Sequence, residues 1–240
     1  MNPRWLQEAV AACKEPYSPS FPRVMNRVWV LRVVHVERIP RITPEKVKIW
    51  LSKLGFRVDH SYFDRHMHGC MAVGRGFGFI FCDSTDEAHV QNFTVAHELG
   101  HFVLEYLLPR ERAQLALGES ALQVFDKGRE PSAGDALYSI LAGVPLQQES
   151  VMERSDEGEI ERGTIDEAEY RADRVAFELL APAKYVLPRV KGLPRDEAVA
   201  LLETQFGLPR LKARAYAHLM LGSEHQGFCI RKYLGEEDDE

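Results

Sequence analysis

The run FTVAHELGHFVLEYLL, residues 93–108, decides how the rest of the chain must be arranged. Its apolar residues Phe93, Val95, Ala96, Leu99, Phe102, Val103 and Tyr106 cover much of a helix circumference. A helix of that kind belongs inside a protein. Asn92 is the expected lead-in. Set into the run is His97-Glu98-Leu99-Gly100-His101. Residues four apart share a helix face, so both imidazoles can reach one zinc ion. Glu98, turned about 100° from His97, can approach a water at the metal without ligating it, as a general base must. Two histidines and a carboxylate on a core helix are costly without a partner. Gly100 costs roughly 1 kcal/mol against alanine in a helix interior. Its missing side chain would let another segment come close.

Upstream, GFGFIFCD (76–83) reads as a strand, with Gly74 and Gly76 as turn points. VWVLRVVHV (28–36) reads as a second strand, and Phe56–Val58 as a short third. Between them Thr43 and Pro44 mark an N-cap and first helical position. The helix PEKVKIWLSKL places Val47, Trp50, Leu51 and Leu54 on one face, and Gly55 closes it. Trp5–Cys13 reads as a short N-terminal helix.

Downstream, Pro109 opens a less regular region. ERAQLALGESALQVF reads as a helix broken near Gly118, KGREPSAGD as a loop and ALYSILAGVPL as another helix. The charged run ESVMERSDEGEIERGTIDE reads as solvated. EAEYRADRVAFELLAP (167–182) is a long amphipathic helix ending near Pro182. RDEAVALLETQF, a Gly-Leu-Pro turn and RLKARAYAHLML form a helix pair, and GEEDDE is an acidic tail.

A catalytic zinc takes three protein ligands and keeps a position open, so a third must come from elsewhere. His66 and His68 form an HxH pair that alternation places on one face. Glu169 is the stronger candidate. It leads a stripe of Ala172, Ala176 and Leu179/Leu180 that can pack on the metal helix. Its alternative is a surface pairing with Arg171 or Arg174.

Together, GFGFIFCD, NFTVAHELGHFVLE and EYRADRVAFELLAP resemble the ImmA/IrrE family of zinc peptidases. The resemblance implies a His97, His101, Glu169 zinc site with Glu98 as base. It implies cleavage of a partner protein such as a helix-turn-helix repressor, and with it a place in transcription regulation and stress response. The long gap between His101 and Glu169 implies an insertion at about 109–161. The chain has Leu180-Ala181-Pro182 where the family often has Leu-Met-Pro, and Pro209 and Tyr216 where it often has serine and arginine.

The expected fold is α+β. A small mixed sheet packs against the HExxH helix and a second ligand-bearing helix, followed by a C-terminal helix-turn-helix-like part. The expected divisions are an N-terminal extension (1–27), a zinc peptidase domain (28–188), a helical hairpin (189–234) and the acidic tail (235–240). Tyr185, Tyr216 and His218 are candidate second oxyanion donors. The strand at residues 76–82 is expected to bind an extended substrate at its edge.

The 240 residues are 45% hydrophobic, enough for a core, with net charge −6. That balance argues against nucleic-acid binding over the whole surface. The four cysteines make no CxxC pair, so no spacing supports a cysteine zinc site. With no signal-peptide pattern and no long apolar run, a cytoplasmic protein without a membrane partner is expected. The rival reading is a non-catalytic regulator that binds protein or DNA through the C-terminal pair. Arg210, Lys212 and Arg214 make its second helix basic.

Overall fold

The computed structural model of the chain describes residues 2–13, 20–25, 33–56, 64–127, 132 and 162–222. Within them the order is α1 (Arg4–Ala12), β1 (Val34–Ile39), α2 (Pro44–Lys53), β2 (Gly69–Gly74), β3 (Phe77–Asp83) and α3 (Ala88–His101). A π-helical turn (Phe102–Leu107) leads into α4 (Leu108–Leu117), α5 (Glu119–Lys127), α6 (Arg162–Leu180), α7 (Ala183–Val190), α8 (Arg195–Phe206) and α9 (Arg210–Leu221). The fold is α+β, with a three-stranded mixed sheet.

The sheet order is β1-β3-β2. β1 runs parallel to β3, with Val36 opposite Ile80, and β2 runs antiparallel, with Met71 opposite Ile80. Arg75 and Gly76 join β2 to β3, both at positive φ (55° and 85°). Two such residues match the twist of a hairpin. Arg75 is held there by donating to the Gly55 carbonyl and lying over the Phe56 ring. β3 is therefore the central strand and has no free edge, which corrects its expected role in substrate binding. Among the described residues the open edges belong to the two outer strands, β1 and β2.

β3 is buried on both faces. Ile80 and Cys82, with Met71, join the main core around α3. Phe79 and Phe81 pack with Ile42, Val47 and Leu51 on the α2 side. Thr43 Oγ1 accepts from Lys46 N to start α2, as expected, and Gly55 (φ 77°) follows its end. Leu54 is half-exposed, against expectation, because the helix ends at Lys53 and Leu54 lies past its last turn.

α3 is squeezed from two sides, and absent side chains make the room. A Cβ at Gly78 would lie 2.6 Å from the Phe102 ring, and one at Gly69 2.3 Å from Thr94 Cγ2. On the opposite side a Cβ at Gly100 would lie 3.0 Å from the Ala172 carbonyl oxygen and 3.1 Å from its Cα. Gly100 thus lets α6 close on α3, with Ala172 and Ala176 fully buried between them. α3 also begins four residues before the expected Asn92. That amide is spent on tertiary bonds, donating to the Arg23 carbonyl and accepting from Met25 N–H.

Pro109 does not end the helix. Leu108 N–H donates to the Val103 carbonyl, a wide-turn bond five residues back. Proline has no N–H and its ring crowds the carbonyl four residues before it. The π turn supplies the space, and the helix runs on to Gly118 (φ 71°).

The C-terminal pair ends α8 at Gly207 (φ 70°), whose N–H and that of Leu208 bond back into the last turn. It is bolted to α6 through Tyr216, which stacks on Phe177 at 4.4 Å and donates to the Ala181 carbonyl. α1 buries Leu6 and Ala9 in the same core. Residues 28–32, 57–58 and 136–146 and the acidic tail, on which sequence expectations also fell, lie outside the described residues. Among the described residues no helix is long and apolar enough to cross a membrane.

Candidate metal centre

One helical turn separates His97 from His101, and their rings meet edge-on with centroids 4.8 Å apart. The two Nε2 atoms lie 3.1 Å apart and face one point. The approach of α6 that Gly100 permits brings Glu169 to the same point. Its Oε2 is 3.2 Å from His97 Nε2 and its Oε1 3.6 Å from His101 Nε2. Among the described residues these three form the group suited to hold a metal ion, with ligand atoms within 4.8 Å of one another. Glu169 does not take the alternative surface pairing. Arg174 donates to Tyr170, and Arg171 lies over the Trp5 ring.

The rear of each imidazole is also held. His97 Nδ1–H donates to Asp173 Oδ1 at 2.8 Å, and His101 Nδ1–H donates to Glu105 Oε1 at 2.6 Å. With Nδ1 protonated and bonded, the Nε2 lone pairs are directed forward, the arrangement found behind metal-ligating histidines. Neither carboxylate was singled out from the sequence, although both sit four residues from a ligand, Asp173 from Glu169 and Glu105 from His101. Lys212, from α9, donates to both Asp173 oxygens at 2.8 and 2.7 Å.

The charges suit a cation. Burial works against a charged His97, yet bonds to Asp173 and Glu169 outweigh it and raise its pKa to about 9. Burial likewise opposes a charged His101, and Glu105 and Glu169 raise it to about 10. Bonds from His101 and His97 hold Glu169 far below the usual carboxylate range. The pocket therefore favours positive charge among its carboxylates, which a divalent cation would supply in exchange for protons.

Glu98 turns to the sheet side of α3, with Oε1 3.7 Å from where a Gly69 Cβ would stand, at the start of β2. Burial raises its pKa, opposed by the two imidazoles and aided by Glu169 and Glu105. A carboxylate so placed is a better proton acceptor near neutral pH than an exposed one.

Residues 45–123 match the family model described as the IrrE N-terminal-like domain, Peptidase_M78. The match contains His97, Glu98 and His101 and bears out the ImmA/IrrE resemblance read from the sequence. It supports a metallopeptidase-type function. It stops before Glu169, so that residue's candidacy as a third ligand rests on the geometry above. Comparison with curated proteins and with solved structures found no match.

Of the remaining candidates, His66, His68 and Tyr216 are bonded to other partners. His66 Nε2–H donates to Asp83 at 2.6 Å and His68 Nδ1–H to Asp86 at 2.8 Å. Tyr216 is buried with its hydroxyl on Ala181. Tyr185 packs edge-on against Phe21, and His218 is exposed.

Proposed function

We propose that the chain is a zinc-dependent endopeptidase with His97, His101 and Glu169 as ligands and Glu98 as general base. The observation that carries this reading is the convergence of two imidazole nitrogens and a carboxylate, each ring backed by its own carboxylate. Two ligand atoms about 2.0–2.1 Å from a tetrahedral zinc lie roughly 3.3 Å apart. The two Nε2 atoms lie 3.1 Å apart, and the Glu169 carboxylate comes within similar reach of both, Oε2 3.2 Å from His97 and Oε1 3.6 Å from His101. A two-histidine, one-glutamate set also leaves a position open, as catalytic zinc requires.

When bound, zinc would acidify a water and polarise the scissile carbonyl. Glu98 takes the proton of the attacking water and passes it to the departing amine. Asp173 and Glu105 keep the imidazoles turned to the ligand point. The substrate lies along the open edge of β2, whose Gly69 end adjoins Glu98. Asp83 N–H bonds the His68 carbonyl, so by alternation Gly69, Met71 and Val73 direct their backbone groups outward. Val73→Pro removes one outward donor without touching the β3 ladder, and should weaken cleavage roughly five-fold. Unchanged cleavage by that variant would discard the edge-strand placement. The substrate is a partner protein such as a helix-turn-helix repressor, which the family resemblance supports.

Elemental analysis of the wild type should give about one zinc per chain, lost in a folded Glu169→Ala. Glu98→Gln should keep the zinc and lower cleavage of a peptide library by about 10²–10⁴. A wild type that takes up no zinc, or a Glu98→Gln that cleaves as well as wild type, would overturn the reading.

A further inference from the structure

We infer that Lys212 is a positioning residue of the metal centre, so that the C-terminal helix pair completes the site. The inference rests on the ligand set proposed above and adds a residue from a third helix. In sequence Lys212 is one of three cations, with Arg210 and Arg214, that make this helix basic, and two residues from each it lies on the opposite side of the helix. In the structure Arg210 and Arg214 are exposed, while the Lys212 ammonium is drawn in. It donates to Oδ1 and Oδ2 of Asp173 and lies 5.1 Å from the centroid of the Phe93 ring. Phe93 is itself buried beside the His97 ring.

Asp173 Oδ1 thus accepts from His97 and Lys212 together, and Oδ2 accepts from Lys212. A carboxylate held on both oxygens by a charged donor has one orientation, and that orientation points Oδ1 at His97 Nδ1. Released from Lys212, Asp173 can rotate about its side-chain bonds, and His97 loses a fixed acceptor. The ammonium itself sits on an anchored helix. Ala213 and Ala217 are fully buried, and Tyr216 is stacked on Phe177 and bonded to Ala181, both from the α6–α7 side. Lys212 therefore transmits the docking of α9 to the metal ligand through one carboxylate.

Zinc affinity of the full chain, measured by competition with a chromophoric chelator, tests this. Asp173→Ala should weaken zinc by about 10–100-fold, the usual range for an outer-shell partner. Lys212→Ala and Lys212→Gln should each weaken it by roughly three- to ten-fold, part of that range. Lys212→Arg, which keeps a charged donor able to hold both Asp173 oxygens, should stay nearer wild type than either neutral variant. The deciding variant is Asp173→Ala/Lys212→Ala, which should bind no more weakly than Asp173→Ala alone, because Lys212 acts only through Asp173. Wild-type affinity in both single Lys212 variants would overturn the inference, as would losses that multiply in the double variant. A wild type that binds no zinc takes down the proposed ligand set as well; a zinc-binding wild type with unaffected Lys212 variants overturns the positioning role alone.

Discussion

The chain carries two histidine pairs with aspartate or glutamate nearby, and they behave in opposite ways. His97 and His101 point their Nε2 atoms at one another across 3.1 Å and share Glu169. His66 and His68 stand 5.9 Å apart, ring edge to ring face, each closed onto its own aspartate. Both pairs had a sequence argument for sharing a face. What separates them is which nitrogens the carboxylates take. At the first pair, carboxylates occupy the rear nitrogens and leave the forward ones convergent. At the second, Asp83 takes the Nε2 of His66 and Asp86 the Nδ1 of His68, and among the described residues the pair joins no group of three ligand atoms close enough for an ion. A metal centre needs converging lone pairs, and nearness of histidines does not supply them.

The largest expected contrast is between His101→Ala and His66→Ala. The first should lose zinc by more than the about 10–100-fold typical of an outer-shell change. The second should keep the wild-type zinc content after dialysis. Equal losses would erase the distinction drawn here.

Next in size is Asp83→Ala. Asp83 is fully buried and accepts from Arg41 N–H, Thr85 N–H, the Thr85 hydroxyl and His66. Removing it strands several donors and should cost about 3 kcal/mol in urea unfolding, with zinc content of the folded fraction unchanged. Its pH signature has a definite sign. Burial raises the Asp83 pKa, but bonds from Thr85, His66 and Arg41 outweigh it and hold the carboxyl well below its ordinary 3.8. A depressed carboxyl stabilises the fold fully above its unfolded pKa, and the stabilisation declines below that value and is lost as pH falls through the lower folded one. The stability gap between wild type and Asp83→Ala should thus be full at pH 6 and shrink below about pH 4. A gap independent of pH would remove Asp83's ionised form from the argument.

The smallest effect belongs to Asp86→Asn. Its partner His68 is mostly exposed, so stability should change by no more than about 1 kcal/mol. A larger loss, seen by thermal unfolding, would mean the two aspartates act as a unit.

Much of this was legible from residue order. The metal helix, the stripe led by Glu169 and the helix pair at 195–221 follow from periodicity, and Gly100 already signalled a close neighbour. The misreadings share a cause, which is tertiary partners that leave no local pattern. Asn92 resembles a cap, yet it binds the chain at residues 23–25. Strand order is invisible in GFGFIFCD, so its central position could not be read. Lys212 looks like one of three solvated cations until α9 meets α6. Asp173 and Glu105 had a faint signal, each four residues from a ligand on the same helix.

The wide turn at Phe102–Leu107 has a consequence for chain length. A π turn is an α-helix carrying one residue of slack. Deleting a residue of α4 beyond Arg110 would rotate everything after it by about 100°, parting Asp126 from Tyr106 and Arg110, which both donate to it. Deleting Leu104 instead, together with Pro109→Ala to remove the ring that needs the room, would tighten the turn to α pitch with both flanking faces still in phase. The metal helix and its continuation are thus joined by an expansion joint, a place where length can change while direction is kept.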